Sequence, residues 1–429
     1  MDDARKRAVE FGTRLREVRE KRGESLRTVA GRAGLNSGYV SQLENGKITH
    51  PSPSVLQKIA KGYELRFEDL LQWAGYVTDP RDALTPNQAV ALSTVSGLGE
   101  PSDEELQTLK AIVELLQSKR SPTFTAPSDI ALDVEAIAEI RRYAVALVRQ
   151  ADGLGRRPTP LQDIQDAARL AMSGELTLDA RDRAHLFERF GHWVNVAWKR
   201  LQGTFDFRTS EIWVSPDLHE MKRRFVISHE IGHAILPAHK QTFAYVDDFT
   251  RLPPFARDLF EREANQAAVE ILFQGGQATE EFDSSPPSLA EICGIAANFG
   301  TSIVSAARYS VETSRRAVAV AIAHRGTHGG LGPTHIYTSG RFDSTFGWGL
   351  GRAPMNEIRA ALQTGHDRGS EEWIVEDLRR DPRVLNAEKM STGYSSIVLV
   401  VPESRVHALA RRLSSSPRGL LVAAPSPRR

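Results

Sequence analysis

A single cysteine, Cys293, stands in a chain of 429 residues. One thiol closes no internal disulfide, and the lack of a Cys cluster excludes a Cys-ligated zinc finger. Any metal site must therefore be built from His and carboxylate. Long apolar runs are missing as well: no stretch approaches 18 uninterrupted apolar residues, and the opening MDDARKRAVEF has neither a secretory apolar region nor a cleavage-site pattern. The expectation is a cytoplasmic protein with no membrane partner. There is no excess of one charge, because 55 Lys and Arg face 54 Asp and Glu. This balance excludes a uniformly basic nucleic-acid coat and requires any DNA-binding charge to be local.

At about 150 residues per domain, the length predicts two to three domains. Residues 5–76 read as short helices separated by Gly, Asn and Pro signals, with no alternation of the strand type. Pro, Ser, Thr and Gly dominate 77–129, apart from a helical island at 102–119. That island opens with Ser102 and Glu105 in capping-box spacing and carries Leu106, Leu109, Ile112, Val113 and Leu116 on one face. Residues 130–310 are mainly helical, but TFDFRTSEIWVS (204–215) alternates like a strand pair. Beyond 315, AVAVAIA and SIVLVV have the character of buried strands. The predicted chain is multidomain: an all-α domain (1–76), a linker with one amphipathic helix (77–129), an α+β domain (130–312) and a small C-terminal α/β domain of regulatory or sensory type (313–429). The GRFDSTFGWGLGRA segment lacks the Lys-Ser/Thr of a phosphate loop.

Within SLRTVAGRAGLNSGYVSQLENG (25–46), one apolar helix ends at Gly34 and a second begins at Asn36 or Ser37. Glycine suits such a helix end because it enters the left-handed region without a Cβ penalty. The spacing is that of a helix-turn-helix. Leu26, Val29 and Ala30 face inward with Leu35, Val40 and Leu43, leaving small and amide side chains outward, as entry into a DNA groove requires. The candidate DNA contacts are Arg27, Ser37, Gly38, Tyr39, Ser41, Gln42, Asn45 and Lys47. Gln42 is the choice for base readout, with Arg27, Asn45 and Lys47 flanking it as phosphate contacts. Residues 11–76, from FGTRLREVREKRG through PSPSVLQKIAKGYEL to FEDLLQWAGY, resemble the XRE family of phage-repressor-like regulators. The resemblance implies a five-helix module that binds double-stranded operator DNA as a homodimer.

FVISHEIGHAIL (225–236) is an apolar helix carrying His229, Glu230 and His233. Histidines four apart share one helical face and suit a single zinc ion, while Glu230 is placed to act as general base toward water. Two imidazoles with one carboxylate favour zinc over manganese. A third ligand is expected on FEREANQAAVEILF (260–273), which offers Glu261, Glu263 and Glu270; Glu263 is chosen, with Ala264, Ala267 and Ala268 allowing close helix approach. HEIGH followed by EREANQAA resembles the ImmA/IrrE metallopeptidases, over about residues 130–312. There are departures: the family often has Phe where Gln266 or Ala267 stands, the usual Pro after the ligand helix is missing at LFQGG, and Ala267 occupies the place where a thermolysin-like pattern has an Asp to orient a ligand histidine. This resemblance implies zinc-dependent cleavage of a repressor of the XRE type, or here of the chain's own linker, in a stress or mobile-element response. In the alternative reading the zinc site is non-proteolytic, serving a DNA-binding scaffold or a metal-responsive regulator. Other candidates are His239 and Tyr245 near the site, His192 and His219 before it, and His324, His328 and His335 as a remote second metal cluster.

Overall fold

A computed structural model of the chain describes residues 3–77, 121–122, 132–173, 188, 202–207, 209–246, 252–325, 331–346, 368–376, 382–392 and 394–403. The helix expected at 102–119 lies outside the described residues, as do His192 and His328. An all-helical N-terminal region precedes a mixed α+β middle and a small C-terminal region of sheet and helix. The chain divides into two compact units, residues 1–277 with 299–301 and residues 278–298 with 302–429.

The first unit begins with α1 (Asp3–Lys21), α2 (Leu26–Ala33), α3 (Ser37–Glu44), α4 (Pro53–Tyr63) and α5 (Phe67–Trp73). Local chemistry sets their ends. The Ser25 side chain accepts from Thr28 N–H and Asn36 from Gly38 N–H, whereas Gly34 closes α2 in the left-handed conformation (φ 63°). Val29, Val40, Leu43, Leu56 and Ile59 are fully or almost fully buried. The buried Glu44 carboxylate receives Arg19 Nε and Nη2, each at 2.7 Å, together with the Tyr63 hydroxyl at 2.7 Å, so the end of α3 is tied to α1 and α4. Gly12 allows α1 this close approach, since a Cβ there would run into the backbone carbonyl of Leu43.

The same unit continues with a two-residue strand β1 (Ser121–Pro122), α6 (Val134–Gln150), α7 (Leu161–Ala167), β2 (Ala171–Met172), β3 (Gly203–Asp206) and β4 (Glu211–Val214). Then come α8 (Glu220–Ile235), α9 (Pro237–Val246) and α10 (Pro254–Leu272). The small sheet has the order β1-β3-β4-β2, with β3 and β4 forming the antiparallel pair anticipated at 204–215. A single apolar cluster runs from Phe11, Val29 and Leu56 through Tyr76 to Leu236, Leu259, Phe260 and Ala267, so the helix-turn-helix and the helices of the middle region share one core. Tyr76 packs edge-on against Phe255 and Phe260 and donates its hydroxyl hydrogen to Pro51 O at 2.8 Å. Polar ties join the same faces: Lys58 to Glu139 at 3.3 Å, and Gln72 Nε2 to the Tyr245 hydroxyl at 2.9 Å.

In the second unit, β5 (Ala319–Arg325), β6 (Leu331–Thr338), β7 (Arg368–Glu376), β8 (Pro382–Ser391) and β9 (Ser395–Pro402) form an antiparallel sheet in the order β6-β5-β9-β8-β7. The apolar runs that predicted strands are β5 and β9, which pair with each other. Alternate residues Ala319, Ala321, Ala323, Val398 and Val400 bury one face under Phe342 and Phe346 of α11 (Gly340–Phe346), while Val320, Ile322, Ile397 and Leu399 on the other face are buried too. Burial on both faces explains why these strands lack polar alternation. Among the described residues, no single helix is long and apolar enough to cross a membrane.

Candidate metal centre

Helix α8 starts at His219, whose Nδ1 accepts from Met221 N–H, and is anchored along its side by Arg224, which donates to Gly300 O and Thr159 O. His219 is therefore a helix cap. Further along, the helix brings His229, Glu230 and His233 into the interior, each at most 4% exposed. Helix α10 lies directly against it. A Cβ on Gly232 would stand 2.9 Å from Ala264 O and 3.0 Å from the Ala267 methyl, so Gly232, Ala264 and Ala267 let the two backbones approach.

That approach delivers a carboxylate to the two imidazoles, and it belongs to Glu261. His229 Nε2 and His233 Nε2 are 3.1 Å apart; Glu261 places Oε2 3.3 Å from the first and Oε1 3.6 Å from the second. Together they form a three-residue cluster able to hold a metal ion. Glu261 Oε2 is buried without a hydrogen-bond donor. Zinc bonds of 2.0–2.1 Å in a tetrahedron put ligand atoms ~3.4 Å apart, close to the spacing of this donor set. The three residues fit the ion.

The choice of Glu263 as third ligand is corrected by this geometry. Residues two apart point to nearly opposite sides of a helix, so Glu261 and Glu263 cannot both face α8. Glu263 instead accepts from the Ser54 backbone N–H and hydroxyl, each at 2.9 Å, and lies 3.0 Å from His239 Nε2. The third glutamate, Glu270, pairs with Arg141 at 2.9 Å. Recentring the face on Glu261 also supplies the missing orienting residue. It is Asn265, four residues on and on the same face, whose Oδ1 lies 2.9 Å from His229 Nδ1. The i, i+4 pair of Glu261 and Asn265 was the available signal.

Electrostatics follow the packing. Burial pushes the His229 imidazole down, but the Glu261 and Glu230 carboxylates outweigh it and leave the pKa raised. Burial holds His233 down to about 4 despite Glu261. Burial works against the Glu261 carboxylate, yet the two histidines bring it to about 2. Glu261 thus remains an anion, as a cation ligand must. Against Glu230 stands Gly203 of β3, where a Cβ would lie 2.8 Å from Glu230 Oε1 and collide with Val226. Glycine leaves room for the carboxylate there.

Of the other histidines near the site, His239 is fully buried, its Nδ1 3.0 Å from His233 Nδ1. It is part of the centre's support. Tyr245 accepts from Gln72 and is not in the cluster. In the second unit His324 pairs with the Ser395 hydroxyl at 2.9 Å. Among the described residues, neither His324 nor His335 belongs to a metal-binding group.

On the helix-turn-helix, Arg27, Ser37, Gly38, Gln42, Asn45 and Lys47 are exposed and Ser41 is half-buried. Asn45 is braced by Arg16, whose Nη2 donates to Oδ1 at 2.7 Å, and donates through Nδ2 to Ser41 O at 2.7 Å. Tyr39 is the correction in this set. Its hydroxyl donates to Asp133 Oδ2 at 2.6 Å, and burial raises the pKa of the phenol. Asp133 also caps α6 through Ala136 N–H, so Tyr39 joins α3 to the middle region instead of reaching outward.

Comparison with known proteins finds two families that match separate stretches of the chain. The helix-turn-helix domain family matches residues 10–73, and the IrrE N-terminal-like domain family matches residues 187–309. The HTH-type transcriptional repressor RghR of Bacillus subtilis (strain 168) is 33% identical over 76 residues, which is 18% of this chain and 56% of that protein. The HTH-type transcriptional regulator DdrOP3 of Deinococcus deserti is 36% identical over 86 residues, 20% of this chain and 66% of that protein. The chain thus spans less than two thirds of either relative. A solved structure described as a Mycobacterium tuberculosis transcriptional regulator superposes with a TM-score of 0.38 and 13% identity, over 74% of this chain and 86% of that one, a likeness too distant to carry a fold assignment.

Proposed function

Because the chain joins an XRE-like helix-turn-helix to an IrrE/ImmA-like domain, we propose that it is a DNA-binding transcriptional regulator with zinc metallopeptidase activity, cutting its own linker or a partner repressor. The observation that carries this reading is the convergence of His229 Nε2, His233 Nε2 and the Glu261 carboxylate, in the turn of helix that also carries Glu230. Zinc in such a site supplies Lewis-acid polarisation of a carbonyl and lowers the pKa of water. His229, His233 and Glu261 would hold it. Glu230 is a buried carboxylate that takes a proton from the attacking water and returns it to the departing amine. Its place against Gly203 lines it up with strand β3.

An extended peptide can add to a strand edge through backbone hydrogen bonds. Ser121–Pro122, from the 77–129 linker, pairs antiparallel with β3, Pro122 lying opposite Thr204 and thus one residue from Gly203. That pairing favours the linker as a substrate in cis. On DNA, the reading has a homodimer whose exposed α3 residues, Gln42 foremost, enter the major groove of an operator. The test is to follow the intact mass of purified protein with zinc, alone and with repressor partners, beside Glu230→Gln. A discrete cut present with Glu230 and absent with Gln supports the reading; uncut chains throughout would sink it.

A second reading is a metal-responsive regulator without proteolysis. It is favoured by the core that α4 shares with helices α8 to α10. It expects DNA affinity to change reversibly with zinc while the chain stays whole.

A further inference from the structure

We propose that the helix-turn-helix completes the metal centre, with Ser54, Glu263 and His239 acting as positioning residues that decide which nitrogen of His233 carries its hydrogen. The inference rests on the zinc site of the preceding reading, but not on proteolysis. The chain of contacts is continuous and buried: Ser54 is 2% exposed, Glu263 and His239 are 0% and His233 is 4%.

The hydrogen bookkeeping has one solution for neutral imidazoles. Glu263 accepts from Ser54 N–H and Oγ–H, both at 2.9 Å, and an ionised carboxylate can only accept. His239 Nε2, 3.0 Å from Glu263 Oε2, must therefore carry a hydrogen, which leaves His239 Nδ1 bare. That bare nitrogen lies 3.0 Å from His233 Nδ1, so His233 donates there and keeps a free lone pair on Nε2. Nε2 is the atom turned toward His229 and Glu261. Asn265 does the same for His229 by accepting from Nδ1–H. Both imidazoles then present bare Nε2 atoms to one point, as partners of the distal nitrogen do in metal sites. Without Glu263, His239 is free to take the opposite tautomer and donate to His233 Nδ1, which forces the hydrogen onto Nε2 and blocks coordination.

The far end of the relay has its own reason to exist. Ser54 is the second residue of α4, after Pro53, which has no N–H; the cap Ser52 serves Val55 N–H at 3.4 Å. The Ser54 N–H is one of the donors a helix start leaves unpaired, and Glu263 takes it, its charge also suiting the positive end of the helix. One carboxylate thus closes the start of a helix in the DNA-binding region and orients the support of a metal ligand. Any event that draws α4 away from α10 removes both functions. By linkage, metal loading must in turn strengthen the docking of α4.

The experiment uses the full chain with Zn2+ and Co2+ in competition with a chromophoric chelator. It compares wild type with Ser54→Ala and His239→Phe. His239→Phe is expected to weaken zinc binding about 10–100-fold, the range for loss of an outer partner of a ligand histidine, and Ser54→Ala by about 3–10-fold. Both should shift the Co2+ ligand-field absorption, a signature that loss of packing alone leaves unmoved when the thermal melt of the metal-free chain is unchanged. Independently of any variant, zinc should slow amide hydrogen exchange in residues 53–63 of wild type. Wild type that binds neither ion overturns the metallopeptidase reading itself. Normal binding by wild type, with both variants within twofold and spectrally identical, or with exchange in 53–63 indifferent to zinc, overturns the relay and leaves that reading standing.

Discussion

The helix-turn-helix and the metal centre are held over different ranges of sequence. In the first, Ser25, Gly34 and Asn36 each act on groups no further than the next helical turn, and the turn between α2 and α3 is closed by its own caps. In the second, His229 is oriented by Asn265, and Glu263 is engaged by Ser54, 209 residues away. The difference teaches where damage travels. A change in the turn weakens one helix junction, whereas a change in the centre reaches α8, α10 and the start of α4 together.

The largest expected effect separates chemistry from binding inside the centre. Glu230→Gln should lower the cleavage rate by about 10²–10⁴-fold while zinc affinity stays near wild type, measured by intact mass and chelator competition. Next, Glu261→Gln set beside Glu263→Gln tests which glutamate touches the ion. The first should release zinc by more than the 10–100-fold expected of an outer partner, and the second should remain within that range. A reversed order would return the ligand role to Glu263. Third, Gly203→Ala forces a methyl into Val226 and the Glu230 carboxylate. A loss of about 1–3 kcal/mol in denaturant unfolding is expected, with a parallel loss of cleavage. Smallest is Tyr39→Phe, which removes a half-buried bond to Asp133 and should cost about 1 kcal/mol of stability without reducing operator affinity in an electrophoretic shift. A clear loss of DNA binding there would restore Tyr39 to the groove-facing set.

Much of the local architecture was legible in the residues alone. The Gly34 end of α2, the start of α3 at Asn36, the strand pair near 204–215 and the apolar strands β5 and β9 are each announced by short-range chemistry. The HExxH spacing places two nitrogens on one helical face without reference to anything else. The carboxylate that meets the two imidazoles was not legible in the same way. FEREANQAAVEILF carries Glu261, Glu263 and Glu270, all plausible on an amphipathic helix, and a small-residue stripe beginning at Ala264 is compatible with more than one rotation about the axis. Only the face actually pressed on Gly232 distinguishes them. The bond from Tyr39 was hidden for a related reason: its partner Asp133 comes from another part of the chain.

What the sequence determined by itself is therefore everything that depends on neighbours within about one helical turn: the caps, the helix-turn-helix spacing, the pair of imidazoles and the Glu230 carboxylate between them. The tertiary structure alone decided the rotation of α10, which brought Glu261 to the two imidazoles and Asn265 to His229 Nδ1. It also decided the docking of α4, which turned Glu263 into a link between Ser54 and His239. The physical reason is that a helix's periodicity defines which residues share a face, but not which face meets its neighbour. That choice is made by long-range packing, through the apolar core that joins Tyr76 to Phe260 and by the close contact of Gly232 with Ala264.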